Sequence, residues 1–350
     1  MFRQVRGKII LSLLFGVLVV AALAVVADVR KLGETLSHFN WALLPIILAL
    51  TLFNYALRFV KWQYYLRLIG VRDLSTRDSA GIFYSAFIMV MTPGKVGELL
   101  KSYLLRRVAD VPIARSAPLI LAERMTDGLA MVFLAALGLA LIPSGWPILA
   151  VTLVAALGGT LIIQHRPTAE RLLARGERIG PLAARIHHLR EFYESSYEIL
   201  RPRPFVLAVL CGLVSWSGEC LAFYLVLRGL GLPHSWTLAI AASSILALAT
   251  LIGSASMLPG GLGVADASIA GLLLTALPAS LMNREIAVAA SLLIRFATLW
   301  FGVGLGAVVV MLFWRRFSGF GAAAVEDGNW VPDDAALVLP DAQESRGRVS

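Results

Sequence analysis

The chain has 350 residues, 58% of them apolar and 15% charged, with a mean hydropathy of +0.78, where an ordinary soluble domain carries about 25% charged residues. A soluble fold of this length cannot hide so much apolar surface, which excludes a soluble enzyme, a nucleic-acid binder and a disordered chain. The basic balance, 31 Lys and Arg against 22 Asp and Glu, therefore reads as cytoplasmic loops of a membrane protein.

Cys211 and Cys220 share one apolar run and fall on opposite helix faces, so they cannot pair with each other. The five histidines, all placed in predicted loops, lack metal-site spacing. No metal or cofactor is expected.

In chain order, residues 9–27 form an uncharged run of 19. That is long enough to cross a bilayer and too long for a cleaved leader, so a signal anchor is expected. Further spans are expected at about 42–60, 116–141, 147–163, 205–227 and 286–312. Two stretches behave differently. Residues 79–92 and 96–105 meet at Pro93-Gly94, and residues 237–258 and 262–277 meet at Pro259-Gly260-Gly261. Each pair reads as a broken hairpin that enters the membrane and returns. The expected fold class is an all-α polytopic membrane protein, about six full transmembrane helices plus two re-entrant hairpins, in one domain over 1–316.

Loop charges set the orientation. Arg3, Arg6 and Lys8 precede the first span, and Arg67, Arg72 and Arg77 follow the second. Lys101, Arg106, Arg107 and Arg115 follow the first hairpin, eight arginines occupy loop 164–204, and Arg315 and Arg316 follow the last span. The opposite loops are poor in basic residues, so both termini are expected on the cytoplasmic side of the inner membrane. Within loop 164–204, Leu182, Ile186, Leu189, Tyr193, Tyr197 and Leu200 recur at steps of three or four. They predict an amphipathic helix lying either on the inner membrane surface or on the protein's own loops. The tail, 317–350, holds six acidic and two basic residues without periodicity and is expected to be disordered.

The two Pro-Gly junctions resemble each other. Pro93-Gly94-Lys95-Val96-Gly97-Glu98 and Pro259-Gly260-Gly261-Leu262-Gly263-Val264-Ala265-Asp266 both read P-G-x-[VL]-G followed by a carboxylate, 166 residues apart. Upstream, Asn54, Arg58 and Gly70 align with Ser215, Glu219 and Gly231 at an offset of 161; downstream, Arg124 aligns with Arg295 at 171. The shared order argues for a duplication, first unit about 42–141 and second about 205–312. The loop charges orient the two units oppositely, as in the inverted repeats of secondary transporters.

A charge at the bilayer centre costs at least ~2.5–3.5 kcal/mol, yet ten lie within or beside the spans. Arg58, Lys61, Lys95, Arg124 and Arg295 are balanced by Glu98, Glu123, Asp127, Glu219 and Asp266. Glu123, Arg124 and Asp127 share one helical arc, and Asn54, Arg58, Lys61 and Tyr65 form one polar stripe. Lys61 is expected to snorkel to the cytoplasmic face beside Trp62, Tyr64 and Tyr65. Gly302 and Gly306 read as close helix packing. The whole charged set suits either structural ion pairs or a substrate or proton pathway. A helix restarting after Pro-Gly points N–H groups and a positive dipole end into a cavity, and the cations can add charge there. That chemistry suits a phosphate or a phospholipid headgroup.

Four motifs in this order, Arg58-Phe-Val-Lys-Trp62, Thr92-Pro-Gly-Lys-Val-Gly-Glu98, Glu123-Arg-Met-Thr-Asp127 and Leu258-Pro-Gly-Gly-Leu-Gly263, resemble the lysylphosphatidylglycerol synthase transmembrane, flippase-like family. The resemblance covers about 5–316. It implies an inner-membrane protein that moves a polar lipid between leaflets, with Glu98, Arg124, Asp127 and Arg295 on the family's intramembrane positions. The full synthases carry a soluble aminoacyl-transfer domain after the membrane part, whereas this chain continues as a short acidic tail, so tRNA-dependent transfer is not implied. The first reading is a lipid transporter rather than an enzyme, with a membrane lipid as its partner. The alternatives are a membrane-embedded transferase using Glu98, Glu123 or Asp127 as base, and a passive partner of a lipid-modifying enzyme or of a second copy. No G-x-x-x-x-G-K-[ST] loop for ATP occurs.

Overall fold

The structure, a computed structural model, describes residues 25, 28–91, 98–138, 146–167, 170–171, 175 and 186–326. All of the span expected at 9–27 except Val25, the junction residues Pro93, Gly94, Lys95 and Gly97, and residues 327–350 lie outside these.

The first helix, α1 (Val29–Ser37), is capped by the Asp28 carboxylate, which accepts from Arg30 N at 3.1 Å. A 3-10 turn, Trp41–Leu43, leads into α2 (Leu44–Leu68). Pro45 sits in the first turn of α2, where its missing N–H leaves no hydrogen bond broken. Then come α3 (Thr76–Ser85), which continues as a 3-10 segment, Ala86–Met91, and α4 (Leu100–Ala109). Next are α5 (Ile113–Ala136), α6 (Trp146–Gln164), α7 (Ile186–Ile199) and α8 (Pro202–Gly229). The last part comprises α9 (Trp236–Ala255), a 3-10 turn at Pro259–Gly261, α10 (Val264–Ala276) and α11 (Arg284–Arg295). A π-helical turn, Phe296–Trp300, joins α11 to α12 (Phe301–Glu326).

No strand occurs among the described residues, and six helical segments are long and apolar enough to cross a membrane. The arms of the second hairpin, Trp236–Ala255 and Pro259–Ala276, are two of the six. The helix expected at 116–141 is not among them, because Glu123, Arg124 and Asp127 put three charges into its apolar stretch. The chain stays helical to Glu326, ten residues past the expected tail boundary.

Two apolar cores hold the bundle. One gathers Trp62, Tyr65, Phe83, Leu105 and Leu119 from α2 to α5; the other gathers Phe223, Ile245, Ile269 and Ile294 from α8 to α11. The two meet where α2 packs along α8: Ser215 Oγ donates to Asn54 O at 3.2 Å, and Cys211 Sγ lies 3.6 Å from Leu57 O. Both cysteines are free. Gly302 and Gly306 do pack closely, since a Cβ there would sit 2.5 Å from Tyr55 Oη and 2.7 Å from Ile88 N.

The amphipathic helix of the loop begins, in the described residues, at Ile186, so His188 is helical rather than in a loop. It lies on the protein itself: Ser196, Ile199 and Leu200 are buried, and Gln164 Nε2 donates to Tyr197 O at 2.9 Å.

Three pairs of helix ends match. After α2, Val71 N reaches back to Leu66 O at 2.9 Å around Gly70 (φ 81°); after α8, Leu232 N reaches Leu227 O at 3.2 Å around Gly231 (φ 92°). Both are glycine-terminated ends that need a left-handed residue. Ser75 then caps α3 and Ser235 caps α9, each hydroxyl accepting from the backbone three residues on. Finally α5 and α11 begin at 113 and 284, the same offset of 171 that relates Arg124 to Arg295.

Candidate functional site

The polar stripe of α2 faces the bundle interior. Asn54, Lys61 and Tyr65 are buried, and the Arg58 side chain is 13% exposed. Across from it, α5 presents Glu123, Thr126 and Asp127 on one arc. Arg58 Nη2 donates to Glu123 Oε1 at 2.8 Å, and its Nε lies 3.8 Å from Asp127 Oδ2. Lys61 Nζ donates to Asp127 Oδ1, and Lys101 Nζ on α4 donates to Glu123 Oε2 at 2.8 Å. Three cations therefore share two carboxylates. Aromatic faces take up part of the excess: Lys101 Nζ is 4.5 Å from the Phe83 ring centroid, and the Arg58 guanidinium is 5.9 Å from those of Phe87 and Trp216.

Two expectations are corrected here. Lys61 does not snorkel to the interface, and Lys101 is not a loop charge; they are 2% and 4% exposed. A lysine stem is long enough to reach either water or a carboxylate one helix away. Here Arg58 alone lies against both Glu123 and Asp127, so Lys61 and Lys101 each supply a second cation to a buried carboxylate that would otherwise share one arginine, the more costly arrangement.

Two further arginine–carboxylate pairs flank the cluster. Arg124 grips Glu98 with two donors, at 2.7 and 2.5 Å, and its side chain is 35% exposed. Arg295 Nε donates to Asp266 Oδ1 at 3.0 Å, and its Nη2 donates to Gly260 O at 2.6 Å. Asp266 Oδ2 in turn accepts from Gly263 N at 2.8 Å. Gly260, Gly261 and Gly263 all have positive φ, and a Cβ on Gly261 would lie 3.2 Å from Gly253 Cα, so the chain can turn there only with glycine. The helix start expected to offer a free N–H to an anion is thus occupied by the protein's own carboxylate.

These groups surround a cavity of about 190 Å³. Arg58, Glu98, Arg124, Glu219, Arg295, Gly260 and Gly261 line it, as does Lys101. Glu123, Asp127 and Asp266 stand behind, each holding a cation that reaches the wall or supports one that does. Pro259 and Gly263 shape the break without lining the cavity. Tyr55 and Trp216 complete the wall, and Tyr55 Oη donates to Thr298 O within the π turn. Sequence reasoning missed Lys101 as a site residue, because its partner Glu123 lies on another helix, 22 residues on. Among the described residues, no group of three His, Cys, Asp or Glu is arranged to hold a metal. Glu219 differs from the other carboxylates: it is 6% exposed and makes no hydrogen bond or ion pair with a described residue.

Comparison with known proteins follows this geometry. The family model described as lysylphosphatidylglycerol synthase TM region matches residues 9–306. A protein described as a UPF0104 membrane protein, from Methanothermobacter thermautotrophicus, is 35% identical over 99 residues. That match covers 28% of this chain and 28% of the relative.

Proposed function

This chain belongs to the lysylphosphatidylglycerol synthase transmembrane-region family, and on that premise we propose that it moves a polar, phosphate-bearing lipid or lipid-linked headgroup between the leaflets of the inner membrane. The observation that carries the reading is the cavity wall: Arg58, Lys101, Arg124 and Arg295 converge on it from separate helices. Four cations around one space suit an anionic phosphate. The volume, about 190 Å³, is room for about six waters at ~30 Å³ each. It admits a headgroup and leaves the acyl chains in the surrounding lipid.

The duplication supports a transport reading. The matched glycine and serine helix ends, and the matched Glu98–Arg124 and Asp266–Arg295 pairs, are what two copies of one unit would leave. Loop charges that orient the copies oppositely, with both termini cytoplasmic, favour an inverted repeat, and transporters of that kind build their sites between the two copies.

The test is reconstitution in vesicles of phosphatidylcholine and phosphatidylglycerol, with fluorescent phosphatidylglycerol and a membrane-impermeant quencher. The expected result is faster loss of protection of the inner-leaflet dye than in protein-free vesicles. Chemical conversion of the lipid without movement between leaflets would instead identify a transferase. Neither movement nor conversion would identify an accessory subunit.

A further inference from the structure

The proposed lipid transport supplies the premise here; the charges around the cavity add a coupled ion. Among the described residues, five cations line the space or stand directly behind its wall: Arg58, Lys101, Arg124 and Arg295 line it, and Lys61 holds Asp127 behind it. Four carboxylates, Glu98, Glu123, Asp127 and Asp266, are each committed to one or more of them. Glu219 is the fifth acidic group and has no such commitment.

Around Glu219, α8 packs chiefly against α2, α5, α9, α11 and the Trp41–Leu43 turn. From α2, Arg58 and Tyr55 face Glu219, but Arg58 is held by Glu123 and lies beside Asp127, and Tyr55 donates to Thr298 O. From α5 comes Asp127, a like charge. From α11 comes Arg295, held by Asp266 and Gly260 O. Trp41–Leu43 and α9 contain no ionisable residue, and α9 offers only the Thr250 and Ser254 hydroxyls to the cavity. On α8 itself the neighbours are Trp216 and Cys220.

With Glu219 ionised, the five cations and five carboxylates cancel. With Glu219 protonated, the set carries one net positive charge. A phosphodiester carries one negative charge across the physiological pH range. We infer that Glu219 takes up a proton as an anionic phosphodiester headgroup enters the cavity, so that headgroup and proton are bound and carried as a neutral pair. The empty cavity and the loaded cavity then have the same net charge. That spares the bilayer an uncompensated charge at any stage of the crossing. The proton comes from water on the loading side and leaves with the headgroup on the other, which makes the proton gradient an energy source for the movement.

The experiment measures binding of fluorescent phosphatidylglycerol to the purified full chain in detergent over a range of pH. Because the lipid phosphodiester does not titrate there, any slope belongs to the protein. Wild type should lose affinity by up to about tenfold per pH unit on the alkaline side, the signature of one linked proton. Glu219→Gln, already neutral, should bind with no pH slope and as tightly as wild type does at low pH. A second measurement needs no variant: wild type in lightly buffered solution should take up about one proton per lipid bound. Flat binding by wild type, the wild-type slope retained in a folded Glu219→Gln, or no proton uptake overturns the inference while leaving transport standing. Absence of binding at every pH, or displacement by an equal concentration of inorganic phosphate, overturns the lipid reading beneath it.

Discussion

The two arginine–carboxylate pairs of the bundle, Arg124–Glu98 and Arg295–Asp266, occupy corresponding places and do different work. Arg124 spends both donors on Glu98 and leaves about a third of its side chain exposed to the cavity. Arg295 is 14% exposed and divides its donors between Asp266 and the backbone carbonyl of Gly260, while Asp266 also caps Gly263 N. The first pair joins a buried carboxylate to an arginine that is partly open, so its open end is accessible to a ligand. The second is a clasp on a backbone break that would otherwise leave unsatisfied polar groups inside a membrane. Under the proposed function, identical chemistry serves as a ligand contact or as a structural fastening according to how many other groups it must satisfy.

Three substitutions test that contrast. The largest effect is expected for Arg295→Ala, which strands Asp266 and the Gly260 carbonyl together. Removing one partner of a buried pair costs about 3–5 kcal/mol. Its Tm in detergent should fall steeply, and an unchanged Tm would break the distinction between the pairs. Gly261→Val should come next. It forces a β-branched residue to φ +65° against Gly253, at about 1–3 kcal/mol. Gly271→Ala, with nothing within 4 Å of the new Cβ, serves as the silent control in the same thermal assay. A smaller change in stability is expected for Arg124→Gln than for Arg295→Ala, because Arg124 is 35% exposed and the glutamine amide can still donate to Glu98. Its leaflet-exchange rate in vesicles should nonetheless fall at least tenfold. A variant that is thermally weakened yet exchanges lipid normally would make Arg124 a clasp as well.

Much of the helical frame was legible in the chain. Apolar runs of membrane length and the matched glycines Gly70 and Gly231, which the structure places at the ends of α2 and α8, act within a few residues of themselves. The break at Pro259-Gly260-Gly261 was legible for the same reason, since positive φ is a property of the local backbone. The repeated spacing was legible too, and the starts of α5 and α11, at 113 and 284, keep the offset of 171. Where helix length and charge competed, local reading fell short. The arms around Pro259 are each long and apolar enough to cross, while α5, expected as a span, carries three charges in its apolar stretch and is not among the six.

The charged residues divide in the same way. The sequence alone determined that ten charges had to find partners away from water, because their cost in a bilayer depends only on residue type and depth. It also set Glu123 and Asp127 on one face of one helix. Only the tertiary structure decided which cations answer them. Lys61 and Lys101 each have a flexible stem that reaches either the interface or a neighbouring helix, and the packing of α2 and α4 against α5 turns both inward. The same packing leaves Glu219 facing the cavity without a cation of its own, since every arginine near it is already held from another side. Pairing between helices depends on distances of a few ångströms, and the order of residues along a chain does not encode such distances.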